Sequence, residues 1–152
     1  MSDVHTYAAE LEWSGSTGAG YDEYDRTHTV TSPPAEAELT LTSGFGGDPR
    51  LMDPEQLLVA AASSCQLLSF LAVAARARID VVEYADSAEG AMDMGENPQR
   101  VGRIVLRPRI VVAGGADEGR VRHLIELAHE HCFIANSLNS EMSIEAEVEV
   151  RS

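Results

Sequence analysis

Apolar and polar residues are distributed along the chain in three patterns. The first is an unbroken apolar run. No charged residue occurs between Gln56 and Ala75, where Leu, Val and Ala dominate. Asp53 ahead of it is a good N-cap, and Pro54 takes the first helical position, where its missing N–H is harmless. Glu55 puts a negative charge in the first turn and Arg76 and Arg78 put cations at the far end, as the helix dipole favours. The pattern predicts a helix over 53–75. Its length suits a membrane span, but Gln56, Ser63, Ser64, Gln66 and Ser69 interrupt it. A helix apolar on nearly all sides is expected to be buried on nearly all sides. A chain of 152 residues covers such a helix with difficulty, so a helix shared between subunits is expected.

The second pattern is a one-sided stripe. Val121, Leu124, Ile125 and Ala128 recur at helical spacing and predict a helix over 117–130, with His131 and Cys132 at its end. The third is loose alternation, which predicts strands. These are Val4 to Trp13, Tyr24 to Thr31 (carrying Arg26 and His28), Glu36 to Thr42, Ile79 to Met94, Val101 to Val112, and Ile144 to Val150. The first two strands should pair as a hairpin. Pro108 argues for an edge strand or a bulge. Residues 44–49 and 137–140 read as loops and 95–98 as a turn. The sum is a single α+β domain over residues 1–152, with antiparallel sheets and two main helices.

Composition narrows the function. Hydrophobic content of 44% suits a packed globule. Eleven basic residues against 25 acidic ones give a net charge of −14, and every basic residue is Arg. So acidic a chain argues against nucleic acid and anionic membranes as partners. Residues 1–13 hold no apolar segment of the kind a secretory signal needs. With just two cysteines, Cys65 and Cys132, the expectation is a cytoplasmic protein whose cysteine pair is redox-active rather than a staple.

Cys65 lies near the middle of the apolar run, where a free Cys often serves as a small hydrophobe. Its surroundings change that reading. Asp53-Pro54-Glu55-Gln56-Leu57-Leu58, then Ala60-Ala61 and Cys65, then the distant His131-Cys132 with Ala135, resembles the OsmC/Ohr family. That resemblance implies an OsmC-like fold, with the Cys65 helix central in an intertwined homodimer. It implies a thiol peroxidase that reduces organic hydroperoxides to alcohols without a bound cofactor. Electrons would come from a dithiol such as a lipoylated protein. Cys65 would attack the peroxide and Cys132 would resolve the resulting sulfenate as a disulfide. An ordinary thiol has a pKa of ~8.5, so the attacking sulfur needs a cation to ionise it. The resemblance assigns that role to Arg26, with Glu55 holding the arginine; Arg50 is the rival. Glu55 and Cys65 are ten positions apart, ~15 Å of rise on a straight helix. Glu55 is therefore expected to serve the Cys65 of the other protomer. The chain departs from the family pattern in having Phe133, not Pro, after Cys132.

Two other readings remain at this point. One is a non-catalytic dimeric module that holds a small apolar ligand between paired helices, with both cysteines as core residues. The other is a metal-dependent redox sensor using His129, His131, Cys132 and Cys65, although their spacing matches no standard zinc pattern.

Overall fold

The computed structural model describes residues 3–152. The chain divides into two compact units, Met1–Leu57 and Leu58–Ser152.

The first unit is built on a small antiparallel sheet. Its strands are β1 (Glu10–Glu12), β2 (His28–Thr31) and β3 (Glu38–Leu41), in the order β1-β2-β3. The expected hairpin of the first two strands is present, with Leu11 opposite Val30. It is shorter than the alternation suggests, because only residues 10–12 of the stretch 4–13 pair. The Trp13 indole N–H donates to the Asp25 carbonyl at 2.8 Å and ties the ends of the long β1–β2 connection together. After β3, Thr42 N–H donates to the Met52 carbonyl at 2.9 Å and turns the chain toward the helix. A Cβ at Gly47 would collide with the Thr42 hydroxyl and the Ser43 carbonyl, so this turn accepts only glycine. The helix start is a reciprocal box. Gln56 N–H donates to Asp53 Oδ1 at 2.8 Å, and Asp53 N–H donates to Gln56 Oε1 at 3.0 Å.

The helix that begins there, α1 (Pro54–Arg76), runs on into the second unit. Three strands were expected in that unit as well, and the first two are each broken once. Residues 79–94 form β4 (Asp80–Asp86) and β5 (Glu89–Met92). Residues 101–112 form β6 (Val101–Leu106) and β7 (Pro108–Ala113); the last expected strand, 144–150, is mostly β9 (Glu147–Val150), and an unexpected strand, β8 (Glu141–Ile144), precedes it. The halves sort into two three-stranded sheets, β4-β7-β9 and β5-β6-β8. Asp86 secures the corner between them. One carboxylate oxygen accepts the Arg107 N–H at 2.6 Å and the other accepts the Ser63 hydroxyl of α1 at 2.6 Å. Two expectations are corrected here. The sheets are mixed, since β8 and β9 run parallel to β6 and β7. Pro108 is neither at an edge nor at a bulge. It opens β7, the central strand of its sheet, and the register shift lies elsewhere, between Val81 and Glu83. A proline at a strand's first residue removes no ladder bond from its interior.

Two helices complete the unit. α2 (Glu118–Glu130) is capped by Asp117, whose carboxylate accepts the Gly119 N–H. α3 (Phe133–Ser137) is a single short turn that the sequence pattern does not announce. Phe70 and Ala74 of α1, Ile110 and Val112 of β7, and Val121, Leu124, Ile125 and Ala128 of α2 form the larger core cluster. Ala62 with Ile104 and Leu106 forms a smaller one.

The burial expected for α1 also needs correction. Only Ala62, Gln66, Phe70 and Ala74 are buried, a single stripe with a spacing of four. Leu68 remains 63% exposed and Leu71 37%, and Ala72 and Ala75 are exposed as well. By length and composition the helix is able to cross a membrane, yet its buried stripe is part of the core just described.

Candidate active site

α1 and α2 together determine where the two cysteines meet. Gln66 and Ser69, two of the polar residues that break the apolar run, face the last turns of α2. Gln66 Nε2 donates to the Ile125 carbonyl at 3.2 Å and Ser69 Oγ donates to the Ala128 carbonyl at 2.8 Å. The final carbonyls of a helix lack partners within it, so the serine satisfies a group that would otherwise be left open. These bonds hold the end of α2 against α1. The chain then turns through His131, and Cys132 follows as the N-cap residue of α3, with 0% of its surface exposed. Cys65, half-buried on α1, lies close enough to influence the Cys132 thiol electrostatically. Both thiols are free.

The electrostatics of the pair differ from side to side. Burial pushes the Cys132 thiol up from its ordinary value, and the nearby Cys65 adds to the rise. The Ala135 and Ile134 amides at the start of α3 pull the other way, although no side-chain cap bond closes there. Cys132 is therefore a protonated thiol at neutral pH. The arrangement suits a two-electron conversion of facing thiols into a disulfide, which requires their sulfurs to close to ~2.05 Å.

Two further residues belong to this neighbourhood. Tyr84 of β4 packs on Phe70 of α1, with ring centroids 6.0 Å apart, and its hydroxyl is buried without a hydrogen-bond partner. Burial, then the charge of Asp86, then that of Cys132 push its pKa well above the ordinary phenol value. Gln66 is 1% exposed, and its Oε1 is also without a partner. Gln66 was visible in the sequence as a polar residue in an apolar helix. Tyr84 had no signal beyond an inward position on a strand.

The other expected site residues lie in the first unit. Arg26 is not within a strand, since β2 starts only at His28. It is held in the preceding loop, where Nη2 donates to the Tyr21 carbonyl at 2.6 Å and Nη1 to the Tyr24 carbonyl at 3.0 Å. Its guanidinium lies 4.1 Å from the Tyr24 ring centroid and 5.0 Å from that of Tyr21. This clamp is incompatible with an extended ladder position. No carboxylate pairs with Arg26 among the described residues, so the structure does not join it to Glu55. Glu55 stands half-buried in the first turn of α1. Arg50, the rival cation, is committed to Asp48 through Nη2 at 2.8 Å and Nε at 3.0 Å. That arginine holds the Asp48 carboxyl at about 2. The metal reading is not supported: no cluster of three or more His, Cys, Asp or Glu side chains is disposed to hold an ion among the described residues.

A mixed α+β chain that brings two free thiols together between a long apolar helix and the start of a short one is a thiol-pair protein by construction. The chain belongs to the OsmC-like protein family, whose profile matches residues 46–147. It resembles the structure of an OsmC-like protein of unknown function from Vibrio cholerae, with 29% identity, a TM-score of 0.83, and 96% of this chain and 100% of that one covered. An organic hydroperoxide resistance protein from Elizabethkingia anophelis shares the fold at 21% identity and a TM-score of 0.66, over 98% of this chain and 99% of the other. The uncharacterized protein YmaD of Bacillus subtilis is 22% identical over 99% of this chain and 97% of its own length.

Proposed function

We propose that this protein is a cysteine-based peroxidase that reduces organic hydroperoxides to alcohols. The observation that carries the reading is the pairing of two free thiols, Cys65 on α1 and the buried Cys132 at the start of α3, near enough to influence one another. Membership of the OsmC-like family and the likeness to an organic hydroperoxide resistance protein support the substrate class.

The chemistry follows from the two sulfurs. The Cys65 thiolate attacks the terminal oxygen of R–OOH. An S–O bond forms, the O–O bond breaks, and the alkoxide leaves with the electron pair and takes up a proton to become the alcohol. Cys65 is now a sulfenic acid. Cys132 attacks its sulfur, the S–O bond breaks, and the oxygen leaves as water with the proton from Cys132. An external dithiol, of which a lipoylated protein is one example, then reduces the disulfide and is itself oxidised to a disulfide. Arg26 supplies the cation that favours the Cys65 thiolate. Its charge is balanced by carbonyl dipoles and tyrosine rings rather than by a carboxylate, so it is still available to an anion. Glu55 orients it, acting from the other protomer of a homodimer.

The test is a thiol count on reduced protein before and after one equivalent of cumene hydroperoxide. Wild type is expected to lose both thiols to an intramolecular disulfide. Cys65→Ser is expected to keep its remaining thiol, and Cys132→Ser to give a trappable sulfenic acid. Survival of both thiols in wild type would overturn the reading.

A further inference from the structure

Arg26 sits in a stretch that favours its neutralisation. Asp22, Glu23 and Asp25 are close neighbours in sequence, and the chain carries a net charge of −14. A guanidinium in such company ordinarily finds a carboxylate, because charge-assisted hydrogen bonds are about twice as strong as neutral ones. Among the described residues Arg26 pairs with none. Asp25 is turned aside, its Oδ1 accepting the Thr27 N–H at 2.9 Å. The Gly20 carbonyl accepts the N–H groups of Glu23 and Tyr24, both at 3.1 Å, and this turn leaves the Tyr21 and Tyr24 carbonyls to the guanidinium. The two tyrosine rings meet edge to face, with centroids 6.3 Å apart and planes at 73°. The guanidinium carbon lies over both, 4.1 Å from the Tyr24 centroid and 5.0 Å from that of Tyr21. Gly46 closes in as well: a Cβ there would stand 3.4 Å from Arg26 Cζ, and its φ of +78° suits glycine. Ring faces and carbonyl dipoles orient a cation without cancelling its charge, whereas a carboxylate cancels it.

We infer that Tyr21 and Tyr24 are positioning residues: their rings hold Arg26 away from Asp22, Glu23 and Asp25 and so keep its charge for the reacting anion. The inference rests on the peroxidase reading for the identity of that anion, the Cys65 thiolate. The two carbonyl bonds belong to the backbone and survive a change of side chain at 21 and 24. Their acceptors are neutral, and alone they compete poorly with three carboxylates in the stretch 22–25. The rings tip that competition. Arg26 is half-buried, and a cation–π contact strengthens as water is excluded. Neither phenol oxygen is needed, since the attraction comes from the ring quadrupole. Phenylalanine therefore serves as well as tyrosine at both positions, and an aliphatic side chain does not. The rings matter only because the acids are there, so the two sets of residues are energetically coupled.

The experiment follows cumene hydroperoxide consumption by reduced, full-length protein in single turnover, together with the Arg26 Nε–H resonance, which the neighbouring ring currents displace. Tyr21→Phe with Tyr24→Phe is expected to match wild type in both. Tyr21→Leu with Tyr24→Leu is expected to slow consumption about tenfold, to the level of Arg26→Gln. Adding Asp22→Asn, Glu23→Gln and Asp25→Asn to the leucine pair is expected to restore most of the rate, whereas the same three changes beside intact tyrosines alter it little. Tyrosines that merely support the loop would give a loss that removing the acids does not repair. The inference is overturned if the leucine pair reacts at the wild-type rate while Arg26→Gln is slow, or if the slowed leucine pair is not rescued. Should wild type ignore the peroxide, or Arg26→Gln consume it at the full rate, the peroxidase role of Arg26 fails and the resonance decides. A resonance that moves in the leucine pair, and moves again when the three acids are removed, keeps the tyrosine assignment; one that the acids do not affect overturns it.

Discussion

At the scale of single residues, the electrostatics separate two arginines that the sequence left as rivals. Arg50 is 86% exposed and closed onto Asp48, so its charge is already compensated. Arg26 is bound by carbonyls and aromatic faces alone among the described residues. Replacing each by Gln separates their roles. Arg26→Gln is expected to slow hydroperoxide consumption about tenfold or more through loss of the cation proposed to favour the thiolate, whereas Arg50→Gln leaves the rate unchanged. Stopped-flow kinetics under single turnover reads both. Cys132 gives a pH prediction. Burial raises its folded pKa above the unfolded value of ~8.5, so the folded state holds the proton at pH values where the unfolded chain has released it. The contribution is fully present below the unfolded pKa and is lost as pH rises toward the folded one. Melting curves of wild type and Cys132→Ala are therefore expected to converge above pH ~9 and to separate below it.

At the scale of elements, what was legible and what was not follows from the origin of each signal. α1 was legible because its cap and dipole charges are local, and Asp53 caps it where the sequence says; α2 was legible from its apolar spacing alone, and its Asp117 cap emerges in the structure. The strand breaks at 87–88, at Arg107 and at 145–146 were not legible. These breaks depend on contacts distant in sequence: Asp86 accepts from Ser63 and the Arg107 N–H, and the Glu145 N–H donates to the Leu106 carbonyl. α3 was missed because a five-residue turn contains no full helical period to recognise. Of the candidate site, the two cysteines were legible from the family pattern. Their juxtaposition through Gln66 and Ser69 was not, since those polar residues read as interruptions until α2 was seen opposite them. Asp86 carries the clearest stability prediction. Asp86→Ala removes two hydrogen bonds and leaves the Arg107 N–H without its acceptor, so a loss of about 2–4 kcal/mol is expected in urea unfolding. Ser63→Ala removes one of those bonds and is expected to lose about 1 kcal/mol.

At the scale of the whole molecule, α1 poses a problem that one chain does not solve. Its buried stripe is narrow, and the opposite face presents Leu68, Leu71, Ala72 and Ala75 to solvent. An apolar face of this kind in a chain of net charge −14 is expected to serve as an association surface. A second copy is the simplest cover, because self-complementary faces close in a two-fold dimer. Sedimentation of wild type is then expected to give twice the 16.4 kDa of one chain, and Leu68→Glu with Leu71→Glu to shift it toward the monomer. The proposed catalytic role of Glu55 turns this into a functional test. Glu55 and Cys65 stand ten residues apart on one unbroken helix, so ~15 Å of rise separates them within a protomer. If the carboxylate serves the partner's thiol, two inactive variants complement each other. In a dimer of Glu55→Gln with Cys65→Ser, the first chain contributes its cysteine and the second its glutamate, which rebuilds one site. Random re-pairing of equal amounts is expected to restore about a quarter of wild-type activity from two preparations that are each inactive. If Glu55 acts within its own chain, no mixed dimer holds a complete site and the mixture remains as inactive as its components.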